Sequence, residues 1–182
     1  MFHLSLLSVA FALLAPHMHV TTAAQPPVPL RRDDSINTRS AQDVIAQLGL
    51  VENVEKGYYI QAFEDPDKNS DGRSVSTAIY YLLEGSAGQS YWHRVDTSEV
   101  WHYYAGAPLT LSLSNNDGTP VKKKVLGPDI FNGQAPQVVV AKNEWQSARS
   151  LGRWTLVGTT VAPGFVESGF ELAPPDWQPN GA

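Results

Sequence analysis

The stretch Ser90-Tyr-Trp-His-Arg-Val-Asp-Thr-Ser-Glu-Val-Trp-His-Tyr-Tyr-Ala-Gly106 carries the most information in this chain. It contains His93 and His102, which are the only histidines after residue 19, with Glu99 between them and aromatic residues on both sides. A histidine close to a carboxylate, surrounded by aromatic side chains, is typical of a small-molecule site. The sequence therefore predicts that a reactive centre, if the protein has one, lies here.

The segments around this stretch predict strands. Eight short runs rich in β-branched and aromatic residues are separated by Gly and Pro, which indicates an antiparallel sandwich or barrel. Before them, Ser40 begins a short helix that ends at Leu48: the hydroxyl caps it, Asp43 follows three residues later, and Gly49 ends it. The predicted strands are 58–63, 77–83, 100–104, 109–113, 121–126, 137–140, 154–161 and 165–172.

The first 32 residues differ in composition from the rest of the chain. Residues 4–14 form an apolar run that is too short to span a bilayer and is typical of a signal peptide, although Met1-Phe2-His3 lacks Lys and Arg. We expect a signal peptide over 1–24 and therefore a secreted protein. Residues 25–32 are proline-rich and end in Arg31-Arg32, as in a linker or a propeptide with a dibasic processing site. The single folded domain is expected over 33–182.

Charge and cysteine content exclude several classes of function. Residues 33–182 hold 11 of the 13 Lys and Arg and all 18 Asp and Glu, so their net charge is −7. Nucleic acid is a poor partner for such a surface, because phosphate binding requires a basic footprint. The chain has no cysteine, which excludes disulfides, thiolate nucleophiles and Cys-ligated metals.

Several motifs, in the same order, resemble a group of single-domain RmlC-like cupins of mostly uncharacterised function. The resemblance covers nearly all of residues 44–175. It implies an all-β jelly-roll (cupin) barrel with a short N-terminal helix, a ligand cavity at the barrel mouth, and commonly a homodimer. The matching segments are 76–83, 92–96, 99–109, 136–140 and 161–165.

The resemblance also implies where a divalent transition metal would bind. A metal-binding cupin supplies His-x-His, then Glu, then a distant His. His93 matches the first histidine, Val95 replaces the second, Glu99 matches the carboxylate, and Gln146 stands at the last histidine. A site of His93, Glu99 and Gln146 would hold a metal weakly unless His102 or a tyrosine joined it. No cofactor is therefore firmly predicted.

Strand alternation predicts that His102 faces away from this site. In a continuous strand, Glu99 and Trp101 point to one face while His102 points to the other, and only a bulge would reverse this. We therefore favour a hydrogen-bonded, structural His102 over a ligand role.

Other side chains are candidates for binding a substrate. Arg73 could bind an anionic or carbonyl group through its planar guanidinium, or could be a surface residue paired with a carboxylate. Aromatic rings could stack on a substrate ring, although alternation turns about half of them elsewhere. The substrate-binding candidates are Arg73, Tyr80, Trp101, Tyr103 and Gln146.

Three functions remain compatible with the sequence. In the first, the protein is an enzyme that transfers a proton on a sugar-like or secondary-metabolite intermediate, as an isomerase or epimerase does, with His93 as acid/base oriented by Glu99. The second is a metal-dependent oxidoreductase that uses the same residues. The third is a non-catalytic protein that binds a small ligand.

Overall fold

The computed structural model describes residues 35–182. The predicted signal peptide over 1–24 and the predicted linker or propeptide over 25–32 lie outside the described residues. Within the described part of the chain, no helix combines the length and apolar character needed to cross a bilayer.

Eleven strands and one α-helix make up the described residues. The helix is α1 (Ala41–Leu48), and 3-10 turns lie at Ile36–Thr38, Gly85–Ala87, Ile130–Asn132 and Glu167–Gly169. The strands are β1 (Val51–Glu52), β2 (Tyr58–Glu64), β3 (Thr77–Glu84), β4 (His93–Val95), β5 (Ser98–Gly106), β6 (Leu109–Ser114), β7 (Lys122–Leu126), β8 (Gln137–Val140), β9 (Trp145–Ser150), β10 (Trp154–Ala162) and β11 (Phe170–Leu172).

The predicted helix is confirmed, together with its cap. The Ser40 hydroxyl accepts a hydrogen bond from the Asp43 backbone N–H, and the Asp43 carboxylate accepts one from the Ser40 N–H. Gly49 ends the helix in the left-handed region, with φ 66°. The buried Ala41 and Val44 pack this short helix onto the outer face of a sheet.

The strands form two antiparallel sheets, which confirms the predicted jelly roll. One sheet has six strands in the order β1-β2-β3-β10-β5-β8, and the other has five in the order β11-β4-β9-β6-β7. The core between the sheets contains fully buried Leu83, Leu109, Leu111, Leu126 and Val140. Two further apolar clusters lie on the outer faces, one under α1 and one around Trp92, Trp145 and Trp177.

Three strands were not predicted: β9 because of its composition, and β1 and β4 because they are only two and three residues long. β9 reads Trp-Gln-Ser-Ala-Arg-Ser, yet five of these six residues are buried. Local hydrogen bonds make this possible: the Ser147 hydroxyl donates to the Ser90 carbonyl at 2.6 Å, and the hydroxyls of Ser150 and Thr155 lie 2.7 Å apart. The predicted strand over 165–172 was too long, since Glu167–Gly169 forms a 3-10 turn before β11.

Gly106, at the end of β5, is expected to resist substitution. Its φ is +86°, and a Cβ there would lie 2.4 Å from the Trp154 carbonyl oxygen. Gly118 has a similar φ of +88° but no atom within 4 Å of the same position. Gly106→Ala should therefore cost about 1–3 kcal/mol of unfolding free energy, and more than Gly118→Ala, when both are measured by urea denaturation. Equal losses would mean that the steric contact contributes nothing.

Candidate active site

His93 is the first residue of β4, and its side chain is almost completely buried, with 4% of the residue exposed. Its Nδ1 lies 3.3 Å from Oε2 of Glu55 and 3.4 Å from the backbone oxygen of Tyr91. A backbone carbonyl can only accept a hydrogen bond, so the contact with Tyr91 requires the proton to be on Nδ1. Nε2 makes no hydrogen bond within residues 35–182.

Glu99 lies on β5 with its carboxylate held by two neighbours. Its Oε2 accepts hydrogen bonds from Nε2 of Gln146 at 2.5 Å and from Nε1 of Trp101 at 3.3 Å. The Trp101 indole also lies 2.9 Å from Oε1 of Gln146. Gln146 on β9 pairs directly with His93 on β4, so the two sheets together bring the imidazole near this carboxylate.

Burial determines the protonation of the two groups that touch. It lowers the pKa of His93 below 6.5, although the charge of Glu99 and the bond to Tyr91 act in the opposite direction. Burial also raises the pKa of Glu55 from 4.5 to about 8. Their 3.3 Å contact has the geometry of an ion pair, but at neutral pH these shifts favour the uncharged forms of both groups.

Glu55 was missed in the sequence because nothing in its local pattern marks it. It lies in the turn between β1 and β2, in the segment Asn53-Val-Glu-Lys-Gly57, where an acidic residue is normally solvated. Only 15% of its side chain is exposed. An acid flanked by turn-forming residues is too common a pattern to have identified it.

The structure brings only some of the predicted residues together. Trp101 and Gln146 contact Glu99, as described above. Tyr103 packs against the core between the sheets, but its hydroxyl donates to the Gly106 carbonyl at 2.6 Å, towards the other end of β5.

Arg73 and Tyr80 are not placed with His93. The Arg73 guanidinium donates to both carboxylate oxygens of Asp96, at 2.8 and 2.9 Å, and to the Gly164 carbonyl. Arg73 is therefore paired with a carboxylate, which was one of the two roles predicted for it, and the carboxylate is that of Asp96. Tyr80 lies on the outer face of its sheet, edge-to-face with Tyr104 at 6.0 Å between ring centroids. Strand alternation thus places Trp101 of β5 on the inner face of the sheet and Tyr80 of β3 on the outer face.

His102 also lies on the outer face, as alternation along β5 predicts. Its Nε2 is 3.3 Å from the Thr160 hydroxyl, and its ring is parallel to that of Tyr104 at 6.5 Å. The register shift in the pairing of β5 with β10 comes after this point, between Tyr103 and Ala105. It therefore does not turn His102 towards Glu99.

The residues present do not fit the metal site that a metal-binding cupin would have. Val95 contributes no donor atom. The Gln146 amide is hydrogen-bonded to Glu99 and Trp101, and Nδ1 of His93 faces Glu55. Within residues 35–182, no three His, Asp or Glu side chains converge in an arrangement that could hold a metal ion. We therefore derive no chemical step that involves one.

A surface cavity of about 450 Å³ lies beside β4 and β11, and its lining residues do not include His93, Glu55 or Glu99. Phe170 lines the cavity, and its ring centroid is 5.7 Å from that of His93. Most of the other lining residues are polar or charged, among them Arg94, Asp96, Asn143 and Glu171. A second cavity of about 1080 Å³ lies under α1 and is lined in part by Tyr80 and Tyr104.

Gln146 is expected to be important for stability, because it is completely buried and bonded to both Glu99 and Trp101. Gln146→Ala removes one donor from a buried carboxylate and the closer acceptor from a buried indole. We expect a loss of about 2–4 kcal/mol in the unfolding free energy measured with urea. Gln137→Ala, at an exposed position of β8, should change it by less than about 0.5 kcal/mol. Similar losses in the two variants would contradict this role for Gln146.

Comparisons with known proteins agree with the architecture. Residues 42–173 match the family model described as cupin superfamily (DUF985). A crystal structure of a protein from Shewanella oneidensis is 31% identical, with a TM-score of 0.69, over 74% of this chain and 85% of that one. A hypothetical protein from Leishmania major is 27% identical, with a TM-score of 0.67, over 73% and 86% of the two chains. No curated protein matches this chain.

Proposed function

This chain belongs to the cupin superfamily, and we propose that it is an enzyme that transfers a proton on a small organic molecule, with His93 as the acid/base. One observation carries the proposal. A buried imidazole contacts a carboxyl group through Nδ1, while Nε2 has no hydrogen-bond partner in the part of the chain that the structure describes. This arrangement is typical of a histidine general base whose ring is oriented by a hydrogen bond at Nδ1.

The chemistry follows from these contacts. Nε2 of His93 would remove a proton from a carbon atom next to a carbonyl group and return it to a different carbon or to the opposite face. The imidazolium formed in between would be stabilised by the charge of Glu99, which favours protonation of His93. Glu55 would hold the ring through Nδ1, a role that the sequence suggested for Glu99.

The proposed substrate is a sugar-like or secondary-metabolite intermediate with a carbonyl group. The cavity lined by Phe170, whose ring lies 5.7 Å from that of His93, supports this choice, because its polar side chains suit a hydroxylated molecule. The secretion of the protein, a homodimer and the lack of a nucleic-acid partner remain predictions from the sequence.

Deuterium incorporation from solvent tests the proposal directly. The protein is incubated in D₂O with small hydroxyketones and aldoses, such as dihydroxyacetone and glyceraldehyde, and the loss of C–H signals is followed by proton NMR. We expect exchange above the buffer rate for at least one compound, and no such excess in His93→Gln. Saturable binding of these compounds with no exchange in any of them would instead favour the non-catalytic function.

A further inference from the structure

We propose that Lys56 is a positioning residue that holds Glu55 against His93. The inference rests on the proposed function, in which Glu55 orients the imidazole. Lys56 follows Glu55 directly in the turn between β1 and β2, and within residues 35–182 its side chain contacts neither His93 nor Glu99. Its effect on His93 would therefore pass through its neighbours Glu55 and Tyr91, which both contact Nδ1.

The backbone of Lys56 is in a conformation that favours glycine. Its φ is +82°, in the left-handed region, and Gly57 follows with φ +74°. A non-glycine residue in this region costs about 1 kcal/mol, so a lysine here indicates that its side chain has a use that offsets the strain. Gly57 itself cannot be replaced easily, because a Cβ there would lie 2.5 Å from the Leu82 carbonyl oxygen.

The Lys56 side chain ties this turn to the segment that leads to His93. Its Nζ donates hydrogen bonds to the carbonyls of Ala87 at 3.1 Å and Gln89 at 2.9 Å. The same ammonium lies 4.9 Å from the centroid of the Tyr91 ring. Three contacts of one cation therefore fix the turn to residues 87–91, and His93 begins β4 two residues later.

Backbone contacts then place Glu55 within this arrangement. The Tyr91 N–H donates to the Glu55 carbonyl at 3.0 Å, and the Tyr81 hydroxyl donates to the Lys56 carbonyl at 3.0 Å. The Asn53 side chain accepts from the Glu55 N–H at 3.0 Å. The direction of the Glu55 side chain is thus fixed on one side by Tyr91 and on the other by the Lys56 turn, and it ends 3.3 Å from Nδ1 of His93.

Histidine NMR separates this role from a purely structural one. The full chain is labelled with ¹³C at histidine Cε1, the His93 signal is assigned by its loss in His93→Gln, and its titration is followed in four proteins: wild type, Lys56→Arg, Lys56→Met and Lys56→Gly. His102 lies on the outer face and serves as an internal reference. Unfolding is measured in parallel, because Lys56→Gly removes the strain of the positive φ.

We expect Lys56→Met and Lys56→Gly to raise the His93 pKa towards 6.5, since release of Glu55 admits water to a ring whose pKa burial had lowered. Lys56→Arg should stay close to wild type, because its guanidinium can donate to the same carbonyls.

Two results would overturn the proposal: a wild-type His93 titration in both Lys56→Met and Lys56→Gly, or a shift in Lys56→Gly alone, which would mean that the aliphatic stem is sufficient. Should Lys56→Met not fold, the pair Lys56→Gly and Lys56→Arg decides. The titration needs no substrate, so it is independent of the exchange assay. If exchange is absent but His93 shifts as expected, the proposed function fails and the positioning of Glu55 by Lys56 stands.

Discussion

His93→Gln should reduce solvent exchange or turnover by roughly 100- to 10,000-fold, the range in which a general acid/base contributes to a rate. Glutamine occupies a similar volume and keeps a hydrogen-bonding side chain, but it cannot accept a proton at neutral pH. The variant therefore removes the chemistry of the buried ring without opening a large cavity. The rate is measured by proton NMR in D₂O with the best substrate found for the wild type.

His102→Gln is the matched control, because it changes the same residue type on the outer face of the other sheet. It should leave the rate within about twofold of wild type. Glu99→Gln should retain part of the activity, since it removes the charge that favours the imidazolium but keeps the base itself. Equal losses in the His93 and His102 variants would indicate a general effect on folding and would contradict the assignment of His93.

Glu55→Gln should make the free energy of unfolding less dependent on pH between 4.5 and about 8. The pKa of Glu55 rises from 4.5 to about 8 on folding, so between these values the folded state binds more protons than the unfolded state. The contribution of Glu55 to the free energy of unfolding is therefore fully present below pH 4.5. It is lost as the pH rises towards 8, by up to about 5 kcal/mol. Glutamine does not ionise, so the variant lacks this loss.

Unfolding free energies measured with urea at pH 6.5 and pH 8.5 check this expectation. His93, whose folded pKa lies below 6.5, is present in both wild type and Glu55→Gln, so its own titration does not distinguish the two proteins. Wild type should lose stability between the two values, while Glu55→Gln should lose much less and should exceed wild type at pH 8.5. Glu52→Gln, at an exposed position of β1, should behave as wild type. An unchanged pH slope in Glu55→Gln would mean that Glu55 is solvated in the folded protein.

The sequence predicted the features that depend on local pattern. Alternation along β5 was sufficient to separate Glu99 and Trp101 from His102, and the Ser40 cap located α1 correctly. The sequence did not reveal Glu55, because its burial depends on residues that are distant in the chain. Tyr91 and Tyr81 hold the backbone of this turn through hydrogen bonds to the carbonyls of Glu55 and Lys56. The position of Tyr80 on the outer face was missed for a related reason. The face on which its side chain lies depends on the pairing of β3 with β10, which the residue type does not indicate.

The central position of β10 has a consequence for how the chain folds as it is synthesised. β3 and β5 do not pair with each other; both pair with β10, in registers such as Leu82 with Leu156 and Trp101 with Thr159. The ribosome must therefore release Trp154–Ala162 before either strand gains its second neighbour, in addition to β2 for β3 and β8 for β5. Until then the hairpin of β2 with β3 keeps an open edge, and folding waits for contacts that are distant in sequence, which slow it to the millisecond-to-second range of such topologies. Nascent chains in this interval expose β-strand edges and are most prone to aggregate, so a chaperone that covers β3 should raise the yield of folded protein.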